Sequence, residues 1–308
     1  MDAATATFHD LRPRLQGIAY RMLGSLSESE DIVQDVWLRW HAADKGSVNN
    51  AEAWLVATTT RISIDRLRSA KVRREQYVGI WLPEPVLTEW PATPEDIEEL
   101  SNEVSVALLT VLERLTPEAR AAFLLREVFD VDYSEVAETL GKSEAACRQI
   151  VRRAKAQLRQ ERPQRAVPSA VHQRLVRRFA DVLAQGDFAG MKSMLADTAV
   201  LMGDGGGYVT SFPRPMVGGP RIAQLLFAAT LRYKDALRIE LAMINGQYAV
   251  LRYIGGELES AQSYESDGER ITRVHVQRNP EKLARLVAAL AQRPVRRQLE
   301  ASAPHESL

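Results

Sequence analysis

Apolar positions recur at helical spacing through the first half of the chain and at strand spacing in much of the remainder, with the change near residue 168. Leu11, Leu15, Ile18, Ala19 and Met22 set an amphipathic helix from about Phe8 to Leu23, ended by Gly24. A second helix opens at Ser27, where Glu30 completes a capping box, and turns Ile32, Val33, Val36, Trp37 and Trp40 inward. Past a polar loop, 44–50, a long helix spans roughly Ala51 to Ser69 with Leu55, Thr59 and Ile62 on its buried side. Thr58 to Thr60 are poor helix formers and blur its limits. Leu108, Leu112 and Leu115 mark a helix from Val104 that stops at Thr116-Pro117, where Thr caps and Pro begins a further helix through Phe123 and Phe129.

The stretch Asp132 to Ala154 reads as a helix-turn-helix. Tyr133, Val136, Ala137 and Leu140 make a short first helix behind an Asp132–Glu135 capping box, Gly141 supplies a positive-φ stop, and Ser143 caps the second helix. In that second helix Cys147, Ile150, Val151, Ala154 and Leu158 face inward, leaving Ala145, Arg148, Gln149 and Arg152 outside. Small, amide and guanidinium groups suit a major groove, since Arg pairs with guanine edges and Gln with adenine. A solvated hairpin in an unrelated bundle is the competing reading of this helix pair taken alone.

Beyond residue 168 two helices, Ala170 to Gln185 and on to Leu195, break at Gly186-Asp187. Strand-like runs come next at Ala199 to Met202, Leu237 to Ile244, Gln247 to Tyr253, Leu258 to Tyr264 and Ile271 to Val276, interrupted by a helix from Pro220 to Tyr233. Asn245-Gly246, Gly255-Gly256 and Asp267-Gly268 are hairpin signals. Helices succeeded by a curved antiparallel sheet imply an α+β cone.

Forty basic and forty acidic side chains cancel over 308 residues, so only the distribution of charge informs. Between Lys142 and Arg165 stand eight basic residues against two acids, a patch suited to phosphates. No Lys or Arg occurs between Arg74 and Arg114, an acidic stretch that carries Pro83, Pro85, Pro91 and Pro94 and reads as an extended linker. Within it, Tyr77 to Pro85 is too apolar for a free tether and is expected to pack. A single cysteine, Cys147, leaves no internal disulfide or thiolate cluster, and no window approaches the roughly 20 apolar residues of a membrane span. No metal, cofactor or membrane is called for, and the default setting is cytoplasmic.

Trp54, Thr58, Arg61, Asp65 and Arg68 form one stripe on the long helix, continued by Lys71, Arg73 and Arg74; such groups suit unpaired bases and phosphates. Asp31, Gln34 and Asp35, on the outer face of the second helix, are by themselves ordinary wet positions. The run Ser-Glu-Ser-Glu-Asp-Ile-Val-Gln-Asp-Val-Trp-Leu-Arg-Trp, with Ala-Trp-Leu-Val-Ala-Thr-Thr-Thr-Arg-Ile-Ser-Ile-Asp-Arg-Leu-Arg-Ser after it, resembles region 2 of the sigma-70 family in its extracytoplasmic-function branch. The helix-turn-helix resembles that family's region 4, at the expected place downstream. The resemblance covers about residues 8–160.

That resemblance implies that Asp31, Gln34 and Asp35 dock on core RNA polymerase. It implies that Asn49, Asn50, Trp54, Arg61, Asp65, Arg68, Arg73 and Arg74 take the −10 element of promoter DNA, and that Ser143, Glu144, Ala145, Arg148, Gln149, Arg152 and Arg153 read the −35 element. The third part is similar to the SnoaL-like, nuclear-transport-factor-2-like domain of one sigma-factor subgroup. Asp204-Gly205-Gly206-Gly207, Asn279-Pro280-Glu281-Lys282-Leu283 and the linker peptide Trp81-Leu82-Pro83-Glu84-Pro85 resemble that subgroup's recurring motifs. Trp81, Pro83, Asp204, Gly205, Gly206, Gly207, Asn279 and Pro280 are thereby candidate regulatory contacts.

The expected architecture is multidomain: two all-α units, the second a helix-turn-helix, and a C-terminal α+β cone. The expected divisions are 1–74, linker 75–104, 105–163, cone 168–283, and a C-terminal helix and tail 284–308, with 294–308 disordered. The function implied is an alternative sigma factor modulated by its own cone, without catalytic residues. The alternatives are a helix-turn-helix regulator with a ligand-sensing third domain, and an enzymatic cone using Asp204 and His275 as acid and base. A cone pocket is also a candidate small-molecule site, and the sequence does not name the molecule.

Overall fold

Gly24, at φ +67°, turns the chain out of α1 (Ala3–Leu23) and into α2 (Leu26–Ala42). The computed structural model describes residues 3–88, 105–161 and 167–292; Pro91, Pro94 and the tail 294–308 lie outside them. The α2 cap is Ser25, whose Oγ accepts from the Glu28 amide at 3.4 Å, so the expected Ser27–Glu30 box is not used. The reason is distant in sequence: the Glu84 carboxylate accepts from the Leu26 amide (2.8 Å) and the Ser25 hydroxyl (3.2 Å), fixing the start of the helix there.

Helix α3 (Ala51–Glu75) runs past the expected end at Ser69. Its threonines are accommodated because the Thr59 and Thr60 hydroxyls each donate back, at 2.8 Å, to the carbonyls of Leu55 and Val56. Then come α4 (Val106–Leu112), α5 (Pro117–Glu127), α6 (Tyr133–Leu140) and α7 (Glu144–Glu161). Thr116 caps α5 as expected, whereas Asp132 makes no side-chain cap and its carboxylate lies 3.7 Å from Arg126 instead. The two helical units share one continuous apolar core: Ile18, Met22, Ile32 and Leu67 are buried in the same cluster as Leu109, Leu124, Val136 and Cys147.

The third part begins with α8 (Ser169–Gln185) and α9 (Phe188–Met194), followed by β1 (Leu195–Asp204), β2 (Met216–Val217), α10 (Gly219–Arg232), β3 (Leu237–Ile244), β4 (Gln247–Ile254), β5 (Glu257–Ser266), β6 (Ile271–Gln277) and α11 (Pro280–Ala291). The strand order is β2-β1-β6-β5-β4-β3. The sheet is mixed, not wholly antiparallel as expected, because β1 and β6 pair in parallel. Helix α10 carries the chain to the far edge, and three antiparallel steps then return β6 alongside β1 in the same direction. The last helix starts at Pro280, ahead of the expected boundary after 283, because Asn279 caps it through the Glu281 amide (3.0 Å).

Strand alternation gives this sheet two apolar faces. Val250, Tyr264 and Val274 pack under α8 to α10 with Phe179, Met191 and Ile222. Ala242, Ile244, Ala249, Leu251 and Ala261 face the other way, covered by Leu283 and Leu286 of α11 and by Leu87 of the linker. No helix among the described residues is long and apolar enough to cross a membrane.

Two histidines are buried here. Burial pushes His172 down to about 4, and burial with nearby Arg273 pushes His275 to about 3. An unfolded chain takes up these protons as pH falls through about 6.5, while the folded cone refuses them until pH 4 or below, so stability is complete above 6.5 and lost as pH falls toward 4. Each shift is worth on the order of 3 kcal/mol at pH 4. Urea denaturation is expected to show a falling midpoint across that window and a shallower fall in His172→Leu. Parallel pH slopes would mean that this histidine is not held neutral.

Candidate functional site

On α2 the side chains of Asp31 and Gln34 are exposed and Asp35 is half-buried. None makes a hydrogen bond or ion pair among the described residues. The adjacent Glu30 pairs with Arg285 of α11 at 2.7 Å, so the cone borders this acidic face.

The stripe on α3 is exposed at Arg61, Asp65, Arg68 and Arg73, but its cations already have partners within the chain. Asn50 caps the helix by accepting from the Ala53 amide at 3.1 Å, Asn49 is exposed, and Trp54 leans on Trp40 with ring centroids 5.4 Å apart. Arg61 donates to the carbonyls of Thr139 (3.0 Å) and Glu138 (2.9 Å), the negative end of α6. Arg68 bridges Asp65 and Glu118, Lys71 donates to the Leu115 carbonyl at 2.6 Å, and Arg73 pairs with Glu28 at 2.6 Å. Arg74 donates to the Leu23 carbonyl at 2.5 Å and pairs with Glu113, which also holds the fully buried Arg120. Burial pushes the Glu113 carboxyl up, but Arg120 and Arg74 outweigh it and hold the group below the usual carboxylate range. The positions expected to meet unpaired bases are therefore satisfied, in large part, by the helix-turn-helix unit.

On α7, Ser143 accepts from the Ala146 amide at 3.2 Å, and Ala145, Gln149, Arg152 and Arg153 are exposed. Arg148 pairs with Glu144 at 2.5 Å and lies over the Tyr133 ring, 4.5 Å from its centroid. This outer face is presented much as the spacing predicts.

The linker meets the cone in a dense polar cluster. Asp204, fully buried at the end of β1, accepts from the Tyr77 hydroxyl (2.6 Å), the Leu82 amide (2.9 Å), the Lys282 ammonium (2.7 Å), the Gly206 amide (3.0 Å) and the Gln277 amide group (3.3 Å). Lys282 also donates to the Leu82 carbonyl at 2.7 Å, and burial pushes its ammonium down to about 8 against the pull of Asp204. Asn279 donates to the Tyr77 hydroxyl at 2.9 Å while capping α11, and Pro280 begins that helix. Trp81 lies between Arg74 (3.6 Å) and Lys282 (4.3 Å), and Pro83 is buried.

The three glycines after Asp204 have separate reasons. A side chain on Gly205 would collide with the Val209 carbonyl; Gly206, at φ +63°, would meet Asn279; and Gly207, at φ +80°, lies against Val78.

Farther along, Glu84 pins α2 while the Tyr20 hydroxyl donates to the Glu84 carbonyl at 2.8 Å. Asn245 donates to Tyr20 (2.7 Å) and accepts from the Val86 amide (3.0 Å). Leu87 bridges Ile244, and the Thr88 amide donates to Met243 at 2.9 Å, so the linker extends the free edge of β3.

Sequence reasoning names Trp81, Pro83, Asp204 and Asn279, which do converge; it includes Tyr77 and Glu84 only as members of a peptide expected to pack, and it misses Asn245 and Gln277. Asn245 is legible only as a hairpin turn, and nothing local assigns its side chain to a helix 225 residues away. Asp204 and His275 do not line the cavity of the cone. Along β1, Leu201 and Gly203 face it while Asp204 points to the linker, and along β6 Val276 faces it while His275 alternates away.

Residues 7–73 match the family described as Sigma-70 region 2, and residues 105–158 match Sigma-70, region 4. The chain is 37% identical over 273 residues to ECF RNA polymerase sigma factor SigJ of Mycobacterium tuberculosis, covering 87% of this chain and 86% of that protein. It is 29% identical over 293 residues to a probable ECF RNA polymerase sigma factor, SigI, of the same organism, covering 94% and 98%. The crystal structure of the Mycobacterium tuberculosis extracytoplasmic function sigma factor SigJ superposes with a TM-score of 0.71 at 30% identity, over 91% of this chain and 98% of that one.

Proposed function

The chain belongs to the extracytoplasmic-function branch of the sigma-70 family, and from that premise we propose how its parts divide the work of promoter-specific transcription initiation. It is an alternative sigma factor: it binds core RNA polymerase and directs it to promoter DNA, and the polymerase performs the chemistry. The face formed by Asp31, Gln34 and Asp35 docks on the polymerase. Loop 44–50 and the α3 stripe receive the melted −10 strand, and the outer face of α7, led by Arg148, Gln149 and Arg152, reads the −35 element. The cone with its linker clamp regulates when these surfaces are available.

The observation that carries the closed-chain reading is the contact of Arg61 with Thr139 at 3.0 Å. The two promoter elements lie roughly 80 Å apart along a duplex that rises about 3.4 Å per base pair. A chain whose −10 stripe is bonded to its −35 unit cannot span them. The closed form therefore has to open on polymerase, with separation of α3 from α6 and release of Arg61, Lys71 and Arg74. A carboxylate or carbonyl that occupies a cation in the closed chain stands where a phosphate would bind.

An enzymatic cone is disfavoured because its best acid–base pair lies away from the cavity, with Asp204 engaged by the linker. A plain helix-turn-helix regulator would have no use for the polymerase-docking face of α2. In transcription with purified core polymerase on a promoter selected from randomised −35 sequences, Arg148→Ala is expected to cost about 1–3 kcal/mol at one base pair. Binding to random DNA should change little. An equal loss on both would reduce Arg148 to a phosphate contact, and the absence of any promoter-specific start would remove the whole assignment.

A further inference from the structure

Between α10 and the inner face of the sheet lies a cavity of about 580 Å³, open to solvent beside the exposed Ala228 and Arg232. Its volume falls in the range that encloses small organic ligands. Leu201, Phe212, Leu225, Leu226 and Val276 supply apolar wall, and Arg252, Arg278 and Glu259 supply charge.

The charges do not balance within the cavity. Opposite β4, the register of β5 slips so that Arg252 faces Ser260 and Tyr253 faces Leu258, leaving Glu259 as the extra residue of a bulge. A bulge re-aims a side chain, and here it delivers Glu259 to the cavity wall, where it pairs with Arg278 at 2.6 Å. Arg252 is left over. Only 8% exposed, it donates one guanidinium nitrogen to the Ala229 carbonyl at 2.9 Å and forms no ion pair among the described residues. Its Nε has no hydrogen-bond partner, and neither has the Nε of Arg278. Glu259 attracts both guanidiniums but is held by Arg278, so two cations share one carboxylate, and unsatisfied donors lining an open cavity are the groups an entering acceptor would complete.

We propose that this cavity is a binding site for a small organic carboxylate, its charged end on Arg252 and its hydrocarbon body against Leu201, Leu225 and Val276. The planar guanidinium matches a carboxylate, and the apolar remainder selects against a compact inorganic anion. The site adjoins the linker clamp without sharing its side chains: Gly203 and Arg278 line the cavity, and the next residue of each, Asp204 and Asn279, holds Tyr77.

The test uses the full chain, with leucine and valine methyl signals followed by NMR during titration with hexanoate, hexanamide and inorganic phosphate. Hexanoate is expected to give saturable shifts at Leu201, Leu225 and Val276, and hexanamide and phosphate are not. Arg252→Gln should weaken hexanoate about tenfold or more. Ala228→Trp, at the exposed mouth where folding is not at risk, should block entry. The proposal is overturned by equal binding of the amide, by equal binding of phosphate, by no saturable hexanoate shift up to its solubility limit, or by hexanoate affinity unchanged in both variants.

Discussion

Asp204→Ala releases the linker from the cone: amide hydrogen exchange across residues 77–88 should accelerate by orders of magnitude, while exchange in the centre of α1 stays slow. The substitution removes the acceptor shared by Tyr77, the Leu82 amide and Lys282, and leaves that lysine buried beside Arg74 without its counter-charge. Breaking one partner of a buried pair typically costs about 3–5 kcal/mol, well above a surface substitution. The double variant Asp204→Leu with Lys282→Met should recover much of the loss, because replacing both partners by apolar groups removes the uncompensated charge. On the closed-chain reading, the single variant also binds core polymerase more tightly, since a larger fraction already occupies the open, competent state. Wild-type exchange across 77–88 in Asp204→Ala would mean that Asp204 does not hold the linker.

Asp31→Arg combined with Asp35→Arg should abolish recovery of the chain with core polymerase in size-exclusion chromatography, a loss of about a hundredfold or more from like-charge contact in a docked interface. The fold should survive, because Asp31 is exposed, Asp35 is half-buried, and neither holds another element by hydrogen bond or ion pair among the described residues. The nearby Glu30–Arg285 pair keeps both partners, although Arg285 loses the added attraction of Asp31. Retained co-elution would remove the polymerase-docking role from this face. Comparing the double variant with Asp204→Ala separates the two surfaces, one expected to lose binding and the other to gain it.

Much of the helical architecture is legible because it is local. Gly24, Gly141 and Gly186 all take positive φ where the apolar periodicity stops, and Thr116-Pro117 and Ser143 begin helices as their chemistry predicts. The α2 cap falls two residues before the serine that the local pattern favours, because Glu84, 59 positions from Ser25, selects which serine serves. The parallel pairing of β1 with β6 is equally non-local: strand periodicity marks both strands, but the path of α10 determines their direction. For the candidate site, the motifs around Trp81, Asp204 and Asn279 are visible as three separate peptides. Their convergence on one carboxylate is not.

By itself, the sequence determined the helices, five of the six strands, the outer face of α7 and the family, because spacing, caps and motif residues act over a few neighbours, and it missed the two-residue β2. Only the tertiary structure decided that Arg61 and Arg74 are spoken for, that both helical units share a core, and that Arg252 is a buried cation with a free donor. Those outcomes depend on which distant carbonyl or carboxylate reaches each charge, and a helix carries the same periodicity whether its cations face water, a phosphate or the end of another helix.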